Sequence, residues 1–355
     1  MRRGVFIVGL LLSAAIWGGA PPAAAAQGAS ITVDSSADTV AVDGECTLRE
    51  AIINAEDDAP TNQDCESGAG ADVVLIEVDG PIHLQQPLPS VTTILRVEAS
   101  GNATISGDSN DDGTPDVQIL TLVAGSELTL RYLTLARGGG QLGGAINAGG
   151  GTLIAHGVTF RENRAADDQS GGAGGAIFAD GGVVSLSGVL LVDNVATVGG
   201  AVNVSGGELA IFGSTFDGNA ADFGAAFAAV DATVFLADTT ITGGRSTGGT
   251  VELTNGSADF NNVTLLGNSS QERGTLVLGT SSAANSIARL SLRHVLGDRN
   301  THAGNTSGFG VDLEIDTFEA TQASVSAANS LIGTCRARAR GSVMVTGSHN
   351  LSLVG

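Results

Sequence analysis

"GVTFREN" at residues 157–163, "GVLLVDN" at 188–194 and "GSTFDGN" at 213–219 are three settings of one phrase. It returns as "YLTLARG" at 132–138, "DTTITGG" at 238–244 and "NVTLLGN" at 262–268, in steps of 25, 31, 25, 25 and 24 residues. A second phrase keeps the same steps: "GGAI" at 143 and 174, "GGAV" at 199, "GAAF" at 224 and "GGTV" at 248. Self-similarity at this period marks a solenoid, in which each unit buries its apolar face only by stacking on the next.

Whether the unit is helical or stranded follows from spacing inside it. Apolar residues come in pairs two apart: Leu153 and Ala155, Val158 and Phe160, Ile177 and Ala179, then Val184 and Leu186, Val189 and Leu191, Val202 and Val204. A period of two, broken by glycines, specifies three short strands per turn. Leucine-rich repeats share the length, but their spaced leucines and helical half are absent. The expected fold is all-β, a right-handed single-stranded parallel β-helix of the pectate-lyase-like kind, with roughly nine or ten coils judged from the repeat. Like side chains then stack about 4.8 Å apart in continuous files. Phe160, Leu191, Phe216 and Ile241 are expected to form one of them.

Asn163, Asn194, Asn219 and Asn268 recur at one turn position, with Gly244 interrupting. An asparagine amide donates and accepts, so a column of them can bond along the stack. Asparagine also suits a left-handed turn, which accounts for the same residues without a ladder.

One stretch stands outside the repeat. "CTLREAIINAEDDAP", residues 46–60, reads as a helix with Thr47 as N-cap, Glu50 completing a capping box, and Leu48, Ala51, Ile52 and Ala55 on one face. An open solenoid end exposes its files and strand edges, and an amphipathic helix is a suitable lid. Arg49 and Glu50 as a catalytic pair is the competing reading, although capping already accounts for Glu50.

Residues 1–26 read as an export signal: Arg2 and Arg3, the apolar run from Val5 to Ile16, and Ala24 to Ala26 before Gln27. The twin-arginine pattern is incomplete, so ordinary secretion is expected. The protein is therefore placed outside the cell or at the bacterial cell surface, with a mature chain that carries no membrane-spanning segment. Without the two leader arginines, 14 basic residues face 37 acidic ones, a formal charge of −23, and there is no lysine. Nucleic acid and anionic lipid are therefore poor partners, because both require a basic face. Trp17 leaves with the leader and Tyr132 is the one tyrosine, which weighs against the aromatic platforms of sugar-binding sites. Three cysteines in an exported chain suggest one disulfide, with Cys46 and Cys65 the near pair and Cys335 left over.

"ITVDSSADTVAVDGECTLREAIINA", followed by a cysteine and "GAGADVVLIEV", resembles the CSLREA domain that opens many exported bacterial β-helix proteins. The match spans about Ile31 to Val78, with threonine in place of the family's serine at 47. The "GGAI" and "FREN"/"FDGN" phrases are similar to repeats of the chlamydial polymorphic outer-membrane proteins, which are surface adhesins. The resemblance implies an exported β-helix protein and supplies no catalytic residue. It divides the chain into a signal at 1–26, an N-terminal cap at 27–80 and a solenoid at 81–355. Family members commonly end in a coil with a further cysteine, whereas this chain stops at "GSHNLSLVG"; a truncated product or a released protein is expected.

Four stretches carry candidate chemistry. In "GDSNDDGTPD", Asp108, Asn110, Asp112 and Asp116, with the Thr114 carbonyl, take the spacing of a calcium loop, although Ile119 stands where the bidentate glutamate belongs. Calcium is the candidate cofactor, and a solvated acidic loop is the alternative. "RHVLGDRNTHAGN" brings Arg293, His294, Asp298, Arg299 and His302 into a stretched coil. Arg293, Asp298 and Arg299 are the candidate site of a polysaccharide lyase, in which a base removes a proton beside a sugar carboxylate. An exposed charged loop is the alternative. Asp167 and Asp168 fall in a six-residue insertion, and adjacent residues of an extended chain point opposite ways. "RARAR", Arg336 to Arg340, places three positive charges on one strand face. Adhesion or surface scaffolding towards an extracellular polysaccharide or protein is the expected function; a lyase or glycoside hydrolase on the same scaffold is the alternative.

Overall fold

The computed structural model describes residues 28–166, 171–283, 285–301, 311–318 and 321–348. The expected export signal at 1–26, Asp167, Asp168 and His302 lie outside them. Apart from helix α1, Leu48–Asp57, the named elements are strands, and every strand pairing is parallel.

Three ladders of strands run through the repeats. The first passes from Ser30–Val33 through Glu127–Arg131, Thr152–His156 and Val183–Ser187 to Ser342–Ser348. A second passes from Gly80–His83 through Thr134–Ala136, Thr159–Arg161 and Leu190–Val192 to Leu296–Asp298. The third runs from Leu120–Thr121 through Ile177–Asp180 and Phe227–Val230 to Ile332–Ala339. Long parallel sheets threaded in this order are consistent with a solenoid.

Register is kept from one repeat to the next. Ile82, Ile105, Leu135, Phe160, Leu191, Phe216, Ile241 and Leu265 are successive partners, and all are fully buried. The expected Phe160, Leu191, Phe216, Ile241 file is therefore present, extended at both ends. Burying each large apolar side chain stabilises the fold by about 1.5–3 kcal/mol before conformational entropy is subtracted.

Two corners repeat with the strands. Between the first and second ladders stands a residue with positive φ: Tyr132, Gly157, Gly188, Gly213, Asp238, Asn262, and further on His294 and Asn329. After the second ladder the same conformation returns at Arg137, Glu162, Asp193, Gly218, Gly243, Gly267 and Arg299. The asparagines come one residue later, without positive φ, so the left-handed-turn reading of Asn163, Asn194, Asn219 and Asn268 does not hold.

Those asparagines are buried and bonded along the stack. The Asn163 backbone N–H and Nδ2 both donate to Asn194 Oδ1, at 3.1 and 2.9 Å, and Asn194 donates in the same way to Asn219 Oδ1 at 2.9 and 3.0 Å. Each Nδ2 also reaches a strand carbonyl of the preceding turn, as Asn194 does to Phe160 O at 3.0 Å. Gly244 interrupts the side-chain column, yet its N–H still donates to Asn268 Oδ1 at 2.9 Å. The column then continues to Asn300, which the sequence reading left out. "GDRN" at 297–300 carries the aligned asparagine, but the irregular step before it hid the match.

The "GGAI" phrase has a steric cause. Its first glycine has positive φ at 143, 174 and 199, and a Cβ on Gly175, the second, would come within 2.0 Å of the Gly200 carbonyl oxygen. Adjacent turns therefore approach backbone to backbone there.

Asn194→Ala would remove the acceptor of the buried Asn163 backbone N–H, one acceptor of Asn163 Nδ2 and one donor to the Phe160 carbonyl. It is expected to cost about 3 kcal/mol or more in urea unfolding.

Candidate functional site

Helix α1 lies against the first two strands, Ser30–Val33 and Asp72–Ile76, where Ser30–Val33 has a strand neighbour on one side. The capping box is formed: Thr47 Oγ1 accepts from Glu50 N, and Glu50 Oε2 accepts from Thr47 N at 3.1 Å. Glu50 Oε1 also accepts from Ala41 N at 2.8 Å, fastening the preceding loop. Cys46 and Cys65 form a disulfide that closes the segment containing the helix, a constraint worth about 3 kcal/mol.

Arg49 has a purpose that spacing did not reveal. Its Nε and Nη2 donate to both oxygens of Asp38 at 2.8 and 2.9 Å, while Nη1 and Nη2 also donate to the carbonyls of Pro87 and Gln86. Both charged side chains are buried, and the fork ties helix, leading loop and first coil together. Arg49 and Glu50 are thus occupied by structural partners rather than paired with each other.

At the 108–116 loop the carboxylates turn to donors. Asp108, fully buried, accepts from the backbone N–H groups of Asp112 and Gly113 at 3.1 and 2.8 Å and meets Arg137 Nη1 at 3.3 Å. Asp112 accepts from Thr114 N and from Asn110 Nδ2, and hydrogen bonding from the Thr114 side chain and amide holds its pKa below the usual carboxylate value. Asp116 accepts from the Ser109 hydroxyl at 2.9 Å. Among the described residues no three His, Cys, Asp or Glu side chains converge on a point that could hold a metal ion. Arg137 also donates to Glu162 at 2.8 Å, which draws the Glu162 pKa down and the Arg137 pKa up.

The stretched coil separates its candidates. Arg293 Nη2 bonds both oxygens of Asp259, on the neighbouring strand Gly256–Leu266, at 2.9 and 2.8 Å. Arg299 sits at the positive-φ corner and pairs with Asp298, its chain neighbour, at 3.2 Å. His294 occupies the other corner beside Asn329. Arg293 ends one strand and Asp298 the next, with the His294 turn between them.

A charge cluster that sequence reading missed lies on the third ladder. Arg273 meets Glu314 at 3.3 Å, Asp316 at 3.1 Å and Glu252 at 3.9 Å. The strand Val311–Thr317 pairs Glu314 with Arg336 and Asp316 with Arg338, and Arg338 lies 3.6 Å from Glu314. The "RARAR" face thus answers acids on the adjacent strand. Burial, the largest cause, raises the Glu252 pKa, opposed by the Gly249 N–H bond at 2.7 Å and by Arg273. Registers of 40 residues create this cluster, which no local spacing signals.

Compared with protein-family models, curated proteins and solved structures, the chain finds no match. Among the described residues no helix is long and apolar enough to cross a membrane.

Because the folded Glu252 carboxyl favours its proton, its stabilising effect is present at low pH and is lost as pH rises through the elevated pKa. Glu252→Gln is expected to be at least as stable as the parent at pH 7 and to lose less stability between pH 5 and 8. Glu314→Ala, which strips a buried partner from Arg273, is expected to cost about 2 kcal/mol in the same urea series.

Proposed function

We propose that the chain is an exported, right-handed single-stranded parallel β-helix protein of the CSLREA kind, acting non-catalytically in adhesion or surface scaffolding. Right-handed coiling is the sense that parallel strands joined by crossovers adopt almost without exception. The reading divides the protein as before: a leader at 1–26, a cap at 27–80 and the coils beyond. What supports it is the set of long parallel ladders, whose outward residues form continuous side faces. An extracellular polysaccharide or protein is the proposed partner.

The lyase alternative asks Arg293 to bind a substrate carboxylate, and that arginine is engaged by Asp259. The mature chain, residues 27–355, incubated with a polysaccharide panel and with cells, is expected to be retained on a surface without releasing unsaturated sugars. Depolymerisation that disappears in Arg293→Ala, Asp298→Ala or Arg299→Ala would replace this reading with the enzymatic one.

Calcium at residues 108–116 is a separate proposal supported by the loop's spacing. Its expected signature is a melting temperature raised by calcium, reversed by chelator and absent in Asp112→Ala. Identical melting in calcium and chelator would leave the loop held by its amide contacts and Arg137 alone.

A further inference from the structure

The outer face of the first ladder carries a groove of about 370 Å³ bordered by Phe235, Asp259, Arg289, Ser291, Ser324 and Met344. A second cavity of about 390 Å³ adjoins it and shares Arg289, Ser324 and Met344. Both lie in the size range of small-ligand sites. Their floor is the register itself: Ser257 pairs with Arg289, Arg289 with Ser324, and Ser324 with Met344, on neighbouring strands.

Arg289 stands where the two cavities meet, is exposed, and has no ion pair or side-chain hydrogen bond among the described residues. It is the one arginine that borders either cavity, whereas Arg49, Arg137, Arg273, Arg293 and Arg299 have carboxylate partners. Among the described residues the hydroxyls of Ser257, Ser291 and Ser324 are likewise without hydrogen bonds. Phe235 and Met344 remain 41% and 62% exposed, so apolar faces flank the free cation at both ends. Phe212, 45% exposed, is Phe235's diagonal neighbour, since Ala210 pairs with Phe235 and Phe212 with Ala237. The exposed rings thus supply an aromatic surface that composition alone argued against.

We propose that this groove binds a sparsely charged acidic glycan, with one carboxylate on Arg289, sugar hydroxyls on the serine row, and a ring face against Phe235. Phe235 and Arg289 stand two strands apart, about 10 Å along the stack, the reach of a disaccharide. Arg289 is the one arginine that borders the two cavities, and it sets the charge density of the ligand. The chain's formal charge of −21 repels a polymer with an acid on every sugar, whereas one acid among neutral sugars keeps the Arg289 contact without that penalty. This inference rests on the adhesive reading above and names the chemistry of its partner.

Calorimetric titration of the mature chain separates the possibilities. The probes are a xylo-oligosaccharide bearing one glucuronate, the neutral xylo-oligosaccharide, an oligogalacturonate of equal length and an acidic aromatic peptide. The singly charged glycan is expected to bind best, and more weakly as salt rises. Arg289→Gln is expected to weaken it about tenfold and to erase its advantage over the neutral sugar. Phe235→Ala weakens both sugars, and Arg336→Ala, on the third ladder, changes neither. Equal binding of neutral and acidic sugars, tighter binding of oligogalacturonate, binding of the peptide alone, or no binding at millimolar concentration would each overturn the proposal. If the protein is retained on surfaces while Arg289→Gln changes nothing, the groove assignment fails and the adhesive reading stands. If it is retained nowhere, the adhesive reading fails first.

Discussion

Every feature of this protein depends on parallel strands repeating in register, turn after turn. In a strand, a slip of one residue turns every inward side chain outward, so register is enforced wherever one face is buried. Here it is enforced twice. The apolar file from Ile82 to Leu265 penalises a slip by exposing Phe160 and Phe216. At the corner, Asn163, Asn194 and Asn219 penalise it again, because a buried amide away from its partner leaves donors and acceptors unmet. The corner residues with positive φ make both possible by turning the chain at the same point in each repeat.

The first strand is where that order would fail, since Ser30–Val33 has a strand neighbour on one side. Helix α1 covers the start of the stack, and its attachment is polar as well as apolar. Arg49, Asp38 and the Gln86 and Pro87 carbonyls form a buried, charge-assisted fork between segments 37 and 38 residues apart. Removing one partner from such a pair strands the other charge, so the contact specifies where the helix sits more than it adds stability. The same economy appears on the third ladder, where Arg273 is shared among three carboxylates from two strands.

How much was legible beforehand follows from the range of each interaction. The strands and the inward set at Leu153, Phe160 and Leu191 could be read directly, because alternation is a property of consecutive residues. The helix and its capping box were readable for the same reason, as Thr47 and Glu50 are three residues apart. Asn300 escaped because the insertion around it broke the step. The partners of Arg49, Arg293 and Asp108 were hidden for a different reason: each lies on another segment, at Asp38, Asp259 and Arg137. A shortage of aromatics was a sound count but an incomplete argument, since it could not say that Phe212 and Phe235 face outward together.

The sequence by itself determined the period, which residues point inward, where the chain turns and how its first helix is capped. All of these arise from contacts within a few residues or from a repeat visible by alignment. Only the tertiary structure decided which charges neutralise each other and which stay free. That outcome depends on what lies one turn above and below, some 24 to 41 residues away, and on loops that shift those neighbours. Arg293 and Arg289 sit four residues apart on one strand with similar sequence surroundings. Register sets Asp259 opposite Ser291, two residues from each arginine, and its carboxylate bonds Arg293, which leaves Arg289 between Ser257 and Ser324.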